Sequence, residues 1–485
     1  MRIIAKNGFR FNLVVQTLLT LSLVGSLLTV SPARADEKSI VEEILGILKT
    51  RGQITDAQYE ELMAKARKEK MKEAEETVEA KDMEEPEKKA TGGALQSFWD
   101  HGVNFVSPDK QLAIKFGGSV MLDWGFVDAD DPFNRGIEAA EGDTLDGEGV
   151  EFRRARLYVS GTLYDSVVFK AQYDFAGGDS TFKDMYLGLK DVPAVGHILV
   201  GHFKEPFSLE EQTSGKYTTF MERSLPNSFS PGRNTGVMIY DAALGGRLHW
   251  ALGGFYNADD FGDGFNDATD VNITARLTGA PITADEGREA LHLGVSYSRQ
   301  MRDEADPASL VRYRERPETH ITDARLVDTG GIPADGVDLV DLEAAFVWGP
   351  FSMQGEYMTA FVDSGAAGDP EFRGFYVYAS YFLTGESRPY KPEAGTFSRV
   401  KPRTNFHPAQ GGLGAWEVAL RYSRLDLTDE SIRGGEMSDV TFGLNWYLNP
   451  SVRFMFNYVN SDLDDRAAAP DGDVDSFMSR FQFEF

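Results

Sequence analysis

The chain has 485 residues, with 76 acidic against 49 basic side chains and a formal net charge of −27. That balance argues against nucleic acid, whose binders neutralise phosphates with dense lysine and arginine. It contains no cysteine, which excludes disulfides, thiolate nucleophiles and thiolate metal sites.

The first residues read as an export signal. Arg2, Lys6 and Arg10 form a basic start, Leu13 to Val30 is largely apolar, and Ala33-Arg34-Ala35 is a small-x-small cleavage site. Removing 1–35 takes away four basic residues and no acid, so the mature charge becomes −31. Residues 36–93 read as a separate helical segment. Ile40, Val41, Ile44, Leu45, Ile47 and Leu48 make a helical stripe, Gly52 breaks it, and Thr55 with Gln58 opens a second helix. From Lys65 to Lys89 the chain is nearly all Glu, Lys, Ala and Met. The stripe is too short for a core and suits either a small coiled coil or a tether. Residues 94–110 read as a linker.

From about residue 111 the apolar period switches to two. Sixteen candidate strands follow, from 112–127 through 474–485, most of them near the ~9–11 residues that cross a bilayer when tilted. The last strand carries Phe477, Phe481, Phe483 and Phe485 on one face and Met478, Arg480, Gln482 and Glu484 on the other. Tight turns such as Tyr164-Asp165-Ser166, Gly349-Pro350 and Asn449-Pro450 alternate with long polar loops such as 302–336. That parity is the pattern of an all-β, sixteen-stranded antiparallel transmembrane barrel over 111–485, with its aromatic rows toward lipid. The stretch 386–413 is an exception, long and proline-rich on the short-turn side. No stretch after the signal reaches the roughly 18 apolar residues of a spanning helix.

A water-filled barrel acts by width, charge and lining groups. The loop 204–233 is long, lacks alternation and holds Phe207, Tyr217, Phe220 and Phe229, so it is expected to fold inward as a constriction. In "EFRRARLYVSG", alternation sends Arg154 and Arg156 into the lumen and leaves Arg153 near the strand's outer end. "SLVRYRERPE" spaces Arg312, Arg314 and Arg316 two apart, a row of guanidiniums suited to passing oxyanions. Solvated loop charge beside Glu315 is the plainer reading of that row. The acidic run Asp259 to Asp267 misses the spacing of a calcium loop, no histidine pair has metal-ligand spacing, and no nucleophile–base arrangement stands out. No catalytic group, metal or cofactor is therefore expected.

Several words, among them "FRRARLYVSG", "GHFKEPFSLEEQTSGKYTTFMERSL", "YFLTGESRPYK" and "TFGLNWYLNPSVRFMFNYV", resemble the phosphate-selective porin O/P family across nearly all of Ile114 to Phe485. The resemblance implies a homotrimeric sixteen-stranded porin, exported through the periplasm of a Gram-negative-type bacterium. Its outer-membrane surroundings are lipid and lipopolysaccharide, its third loop lines the constriction, and its permeants are small phosphate-like anions. It also implies that Arg312, Arg314 and Arg316 form an anion ladder and that Ser214, Lys216 and Arg223 line the constriction. Arg153, Arg154 and Asp184 join them from neighbouring strands. Glu211 stands where the phosphate-selective members carry a lysine, Gly215 replaces a second serine, and Ser119 replaces a ladder arginine. The fold and pore class follow from the resemblance, while phosphate selectivity is put in doubt by these departures. The rival readings are a general or cation-preferring porin and a structural protein linking the outer membrane to the cell wall.

Overall fold

The computed structural model describes residues 95–485 apart from 143–144, 179, 264–269, 305–308 and 468–469. The expected export signal and helical segment lie outside the described residues. Sixteen antiparallel strands follow one another around a closed barrel. They are β1 (Leu112–Ala129), β2 (Gly147–Leu163), β3 (Val167–Asp174), β4 (Thr181–Val192), β5 (Gly196–Lys204), β6 (Arg233–Ala243), β7 (Leu248–Tyr256) and β8 (Val271–Ala284). The second half is β9 (Glu289–Met301), β10 (Gly336–Trp348), β11 (Phe351–Asp363), β12 (Glu371–Phe382), β13 (Ala415–Asp429), β14 (Ile432–Asn449), β15 (Val452–Arg466) and β16 (Gly472–Glu484). Each overlaps one of the sixteen segments expected from alternation. Closure comes from β16 pairing with β1, with Phe477 opposite Phe126 and Glu484 opposite Ser119. Within the stretch read as a linker, Gln96–Trp99 and Val103–Val106 form a hairpin that extends the sheet beside the start of β1.

The barrel turns the usual distribution of residues inside out. Leu157, Leu187, Val200, Leu342, Leu420 and Phe442 are exposed on its outer face, while Arg421, Arg480, Asp341, Glu343 and Asn445 are buried within. Only lipid makes such an outer face stable, because no second protein layer covers it. Near the short-turn rim the outer face carries stacked rings. Trp416 lies 5.0 Å from Trp446, Phe406 meets Trp446 edge-on at 4.9 Å, and Phe454 lies 5.0 Å from Phe481. Such rings settle at the headgroup level.

The chain end is fitted into this wall. Gly118 N–H donates to the Phe485 carbonyl at 2.8 Å, and Phe485 N–H donates back at 3.1 Å. A Cβ at Gly117 would sit 2.3 Å from the Tyr158 hydroxyl, and one at Gly118 would sit 2.7 Å from the Phe485 ring. Both positions therefore need glycine for the barrel to close. Phe485→Ser should lower the yield of folded, heat-modifiable barrel while leaving the unit conductance of the channels that do form unchanged, measured by gel shift and bilayer recording. Normal yield would show that the terminal ring has no part in assembly.

Loop length follows the expected parity with one exception at each rim. Residues 430–431 make a two-residue turn on the long-loop side, and 383–414 is long on the short-turn side. The long loops fold inward. Helix α1 (Asp131–Glu141) presents Phe133 and Ile137 to a buried cluster with Phe207, Phe229, Tyr313 and Leu326 from the loops and Leu339, Met358 and Leu425 from the wall. This apolar packing seals the inner faces of β10 to β13, whose inward residues are buried in regular alternation. Inward residues of β3, β4 and β6, such as Lys170, Tyr186 and Tyr240, keep partial exposure. The open water path thus runs along one side of the lumen.

Candidate functional site

The third long loop, 205–232, folds inward as expected and is tied down by its own acids. Glu205 accepts from Asn234 and Asn272, both at 2.7 Å, and from Thr274. Ser208, at φ +66, caps the single turn α2 (Leu209–Gln212) by accepting from Glu211 N–H at 3.1 Å. Glu210 accepts from Ser224 N–H at 2.9 Å and pairs with the buried Arg421 at 3.4 Å. Glu222 accepts from Arg480 at 2.8 Å, while Arg480 also holds Asp123 through two bonds of 2.7 and 2.6 Å. These groups anchor the loop and leave its cations to the water path.

Most of the expected site residues meet there. Arg153, near the outer end of its strand and expected from the resemblance at the constriction, points inward. The β1–β2 register slips between Met121 and Leu122, which makes Arg153 a bulge residue, and its guanidinium takes Glu222 in a fork of two 2.9 Å bonds. Arg154 packs over Gly215, where a Cβ would come within 1.9 Å of its Nη1. A serine at 215 would require the Arg154 guanidinium to move aside. Nε and Nη1 of Arg154 are buried and donate to no partner among the described residues. Arg156 donates to Asp174 at 2.7 Å. Asp184 takes Lys170 at 2.5 Å and Arg233 at 2.8 Å.

Glu211 lies between two cations. Lys204 Nζ is 3.1 Å from one carboxylate oxygen and Arg223 Nη1 is 3.0 Å from the other. Burial alone would raise its pKa, but Arg223 and then Lys204 overcome that and hold it at about 2. Lys216 pairs with Glu484 at 3.2 Å, near the rings of Tyr158 and Tyr217, and Ser214 accepts from Lys216 N–H at 3.4 Å. Ser119 is buried in the wall opposite Arg156 and Glu484.

In all seven ion pairs made by Arg153, Arg156, Lys170, Lys204, Lys216, Arg223 and Arg233 along this wall, the cation is the more exposed partner. The cations keep 14–24% of their side-chain surface accessible, against 4–17% for Glu222, Asp174, Asp184, Glu211 and Glu484. With Arg154, eight cations meet five carboxylates on the open side. Three other pairs, Arg276–Glu343, Arg421–Glu318 and Arg480–Asp123, are almost wholly buried on both sides, while in Lys183–Asp260 and Arg316–Asp323 the acid is the more exposed partner. The acid excess of the whole chain therefore does not describe the water path.

The fifth long loop carries the arginine row. Val311 and Tyr313 turn into the apolar cluster and leave Arg312 and Arg314 exposed. Arg312 forks onto Asp328 and Arg316 donates to Asp323 at 2.5 Å, so two acids offset part of the row's charge. Just beyond, Glu318 bonds Arg421 and Ser423 on the wall and His320 meets Glu151 at 2.9 Å, which brings the row's end to the strand that bears Arg153. Replacing all three arginines by alanine should lower conductance at low salt and change little near about 1 M, where the Debye length shrinks to ~3 Å. An equal loss at both salt levels would mean a change of pore shape instead.

Sequence reasoning did not single out Lys204, Arg233, Glu222 or Arg399 as site residues. The polar row Lys170, Gln172, Asp174 was legible as an inner face, but its partners lie on other segments. The exceptional loop 383–414 also enters the lumen. Arg388 stacks 3.5 Å above the Phe397 ring, Tyr390 bonds His292 at 2.6 Å, and Arg399 reaches Tyr217 at 3.2 Å and Glu484 at 2.9 Å. It meets the third loop from the opposite rim.

The family model for phosphate-selective porin O and P matches residues 125–485. A Caulobacter vibrioides protein described as uncharacterized is 30% identical over 400 residues, covering 80% of this chain and 76% of that one. Porin O of Pseudomonas aeruginosa is 28% identical over 419 residues, covering 79% and 91%. Among solved structures, an anion-selective porin from Comamonas acidovorans superposes with a TM-score of 0.46 at 14% identity, covering 77% of this chain and 100% of that one. Match, barrel and inverted polarity agree: the chain belongs to the phosphate-selective porin O and P family, and it is an outer-membrane porin of the Gram-negative type.

Proposed function

We propose that this porin conducts small anions by passive diffusion, as a homotrimer of the kind the family resemblance implies, with phosphate and polyphosphate among its permeants but not tightly held. The observation that carries the reading is the cation excess on the accessible wall, where ammonium and guanidinium groups reach the water and their acids sit behind them. The unpartnered Nε and Nη1 of Arg154, buried beside the path, add a position where an oxyanion's lone pairs would be satisfied. Against tight phosphate binding stands Glu211. Its carboxylate already occupies Lys204 and Arg223, the two cations nearest the place of the family lysine. A fixed internal anion of this kind competes with a free one and weakens it. The test is ion substitution in a planar bilayer. Exchanging chloride for a bulkier anion should lower unit conductance far more than exchanging potassium for lithium. Conductance that follows the cation would overturn the proposal.

A further inference from the structure

We propose that Asp341, Glu343 and Glu356 form a site for a hard divalent cation, calcium or magnesium, on the inner wall of the barrel beneath the third loop. Strands β10 and β11 put Glu343 directly opposite Glu356, and Asp341 lies two residues before Glu343 on the same inner face. One carboxylate oxygen from each lies within 4.8 Å of the others, and all three residues are buried. Like charges directly across a strand pair repel, so the arrangement needs a counter-charge.

The neighbours supply only part of it. Glu343 accepts from Arg276 at 2.8 and 2.7 Å, from Ser296 at 2.9 Å, and faces His292 Nε2 at 2.9 Å. Glu356 accepts the N–H groups of Leu209 and Glu210, both at 2.8 Å, and the Tyr376 hydroxyl. Asp341 is different: its exposure is 0%, and neither oxygen accepts from a donor group among the described residues, while the Glu343 carboxyl lies close enough to share a proton with it. A carboxylate so placed has lost its water without a replacement, which is costly unless a cation, proton or water meets it. Three carboxyl groups face the single guanidinium of Arg276, an excess of acidic groups over cations. A divalent ion removes that excess and completes Asp341 in one step. An all-carboxylate donor set favours calcium or magnesium over softer metals, with water in the remaining positions. Because Glu356 also holds the first N–H groups of α2, the ion would brace the constriction loop against the wall. This inference rests on the barrel and its buried groups and does not depend on the anion reading.

The full-length chain, refolded in detergent free of lipopolysaccharide with calcium or magnesium and then dialysed against metal-free buffer, should retain close to one divalent ion by elemental analysis. Asp341→Asn should lose it and Glu356→Gln should hold it less well. Chelation should lower the heat-modification temperature of the wild type and leave that of Asp341→Asn unmoved. If Asp341→Asn does not fold, the wild-type metal content and Glu356→Gln still decide. A wild type with no bound ion, and no response to calcium, magnesium or chelator, overturns the proposal in favour of a shared proton. An ion retained by both variants overturns it too, since it must then bind elsewhere.

Discussion

Glu211→Gln is expected to turn a weakly phosphate-sensitive channel into one that phosphate blocks. The substitution keeps the side chain's size but releases Lys204 and Arg223, each now about 3 Å from the carboxylate. Two charges 4 Å apart interact by about 4 kcal/mol at an effective dielectric of 20, and water in the path reduces that. A net gain of about 1–2 kcal/mol for a bound oxyanion corresponds to roughly 5–30-fold tighter block of chloride current by phosphate. Glu211→Lys adds a further cation at the same place and should strengthen anion preference again, at some cost to the loop, since three cations would then lack a shared acid. The pH dependence has a definite sign. A carboxyl depressed to about 2 contributes stability that is complete above its unfolded pKa and fades as pH falls toward 2. The wild type should therefore not acquire the Glu211→Gln phosphate block on mild acidification to about pH 4, where Glu211 is still charged. Unchanged block in Glu211→Gln would place Glu211 away from the anion path.

The second large effect is expected at Arg480. Its guanidinium joins the closing strand to Asp123 on β1 and to Met221 and Glu222 of the third loop, with no exposed surface. Arg480→Met leaves Asp123 buried and unpaired, while Glu222 keeps Arg153. Removing one partner of a buried pair costs about 3–5 kcal/mol. At ~2–4 °C per kcal/mol the heat-modification temperature should fall by roughly 6–20 °C. The loosened loop should also raise open-channel noise. Adding Asp123→Leu should recover much of the thermal loss, because an apolar pair needs no counter-charge. If the single variant melts like the wild type, water has entered and the site is not dry.

The strands were legible because alternation reports which face a side chain takes, and a barrel asks little else of a strand. Phe477, Phe481, Phe483 and Phe485 are the clearest case, since their row opposes the buried Met478, Arg480, Gln482 and Glu484. Loop parity separated the barrel from a sandwich, and the aromatic content of 204–233 pointed inward. What alternation cannot report is a slip in register. At Arg153 one bulge residue turns the side chain inward beside Arg154, which a single strand's pattern does not signal and only the family resemblance implied. Pairing between distant segments was equally hidden. Glu211 stood out by resemblance as a misplaced acid, but its compensation by Lys204 and Arg223 depends on how the loop returns to the wall. The entry of 383–414 into the lumen had only its length and prolines as a signal. Asp341 and Glu343 carried none, because buried and lumen-wet acids look alike in an inner row.

On the proposed anion reading, the accessible wall, rather than the charge of the whole chain, decides which ions pass. The most direct measurement is the zero-current potential of the wild-type porin in a planar bilayer under a KCl gradient. The potential should carry the sign of chloride preference, strongest at low salt and weakening as screening rises. A potential of the opposite sign, with potassium preferred, would contradict it and show that the carboxylates behind the wall govern the path.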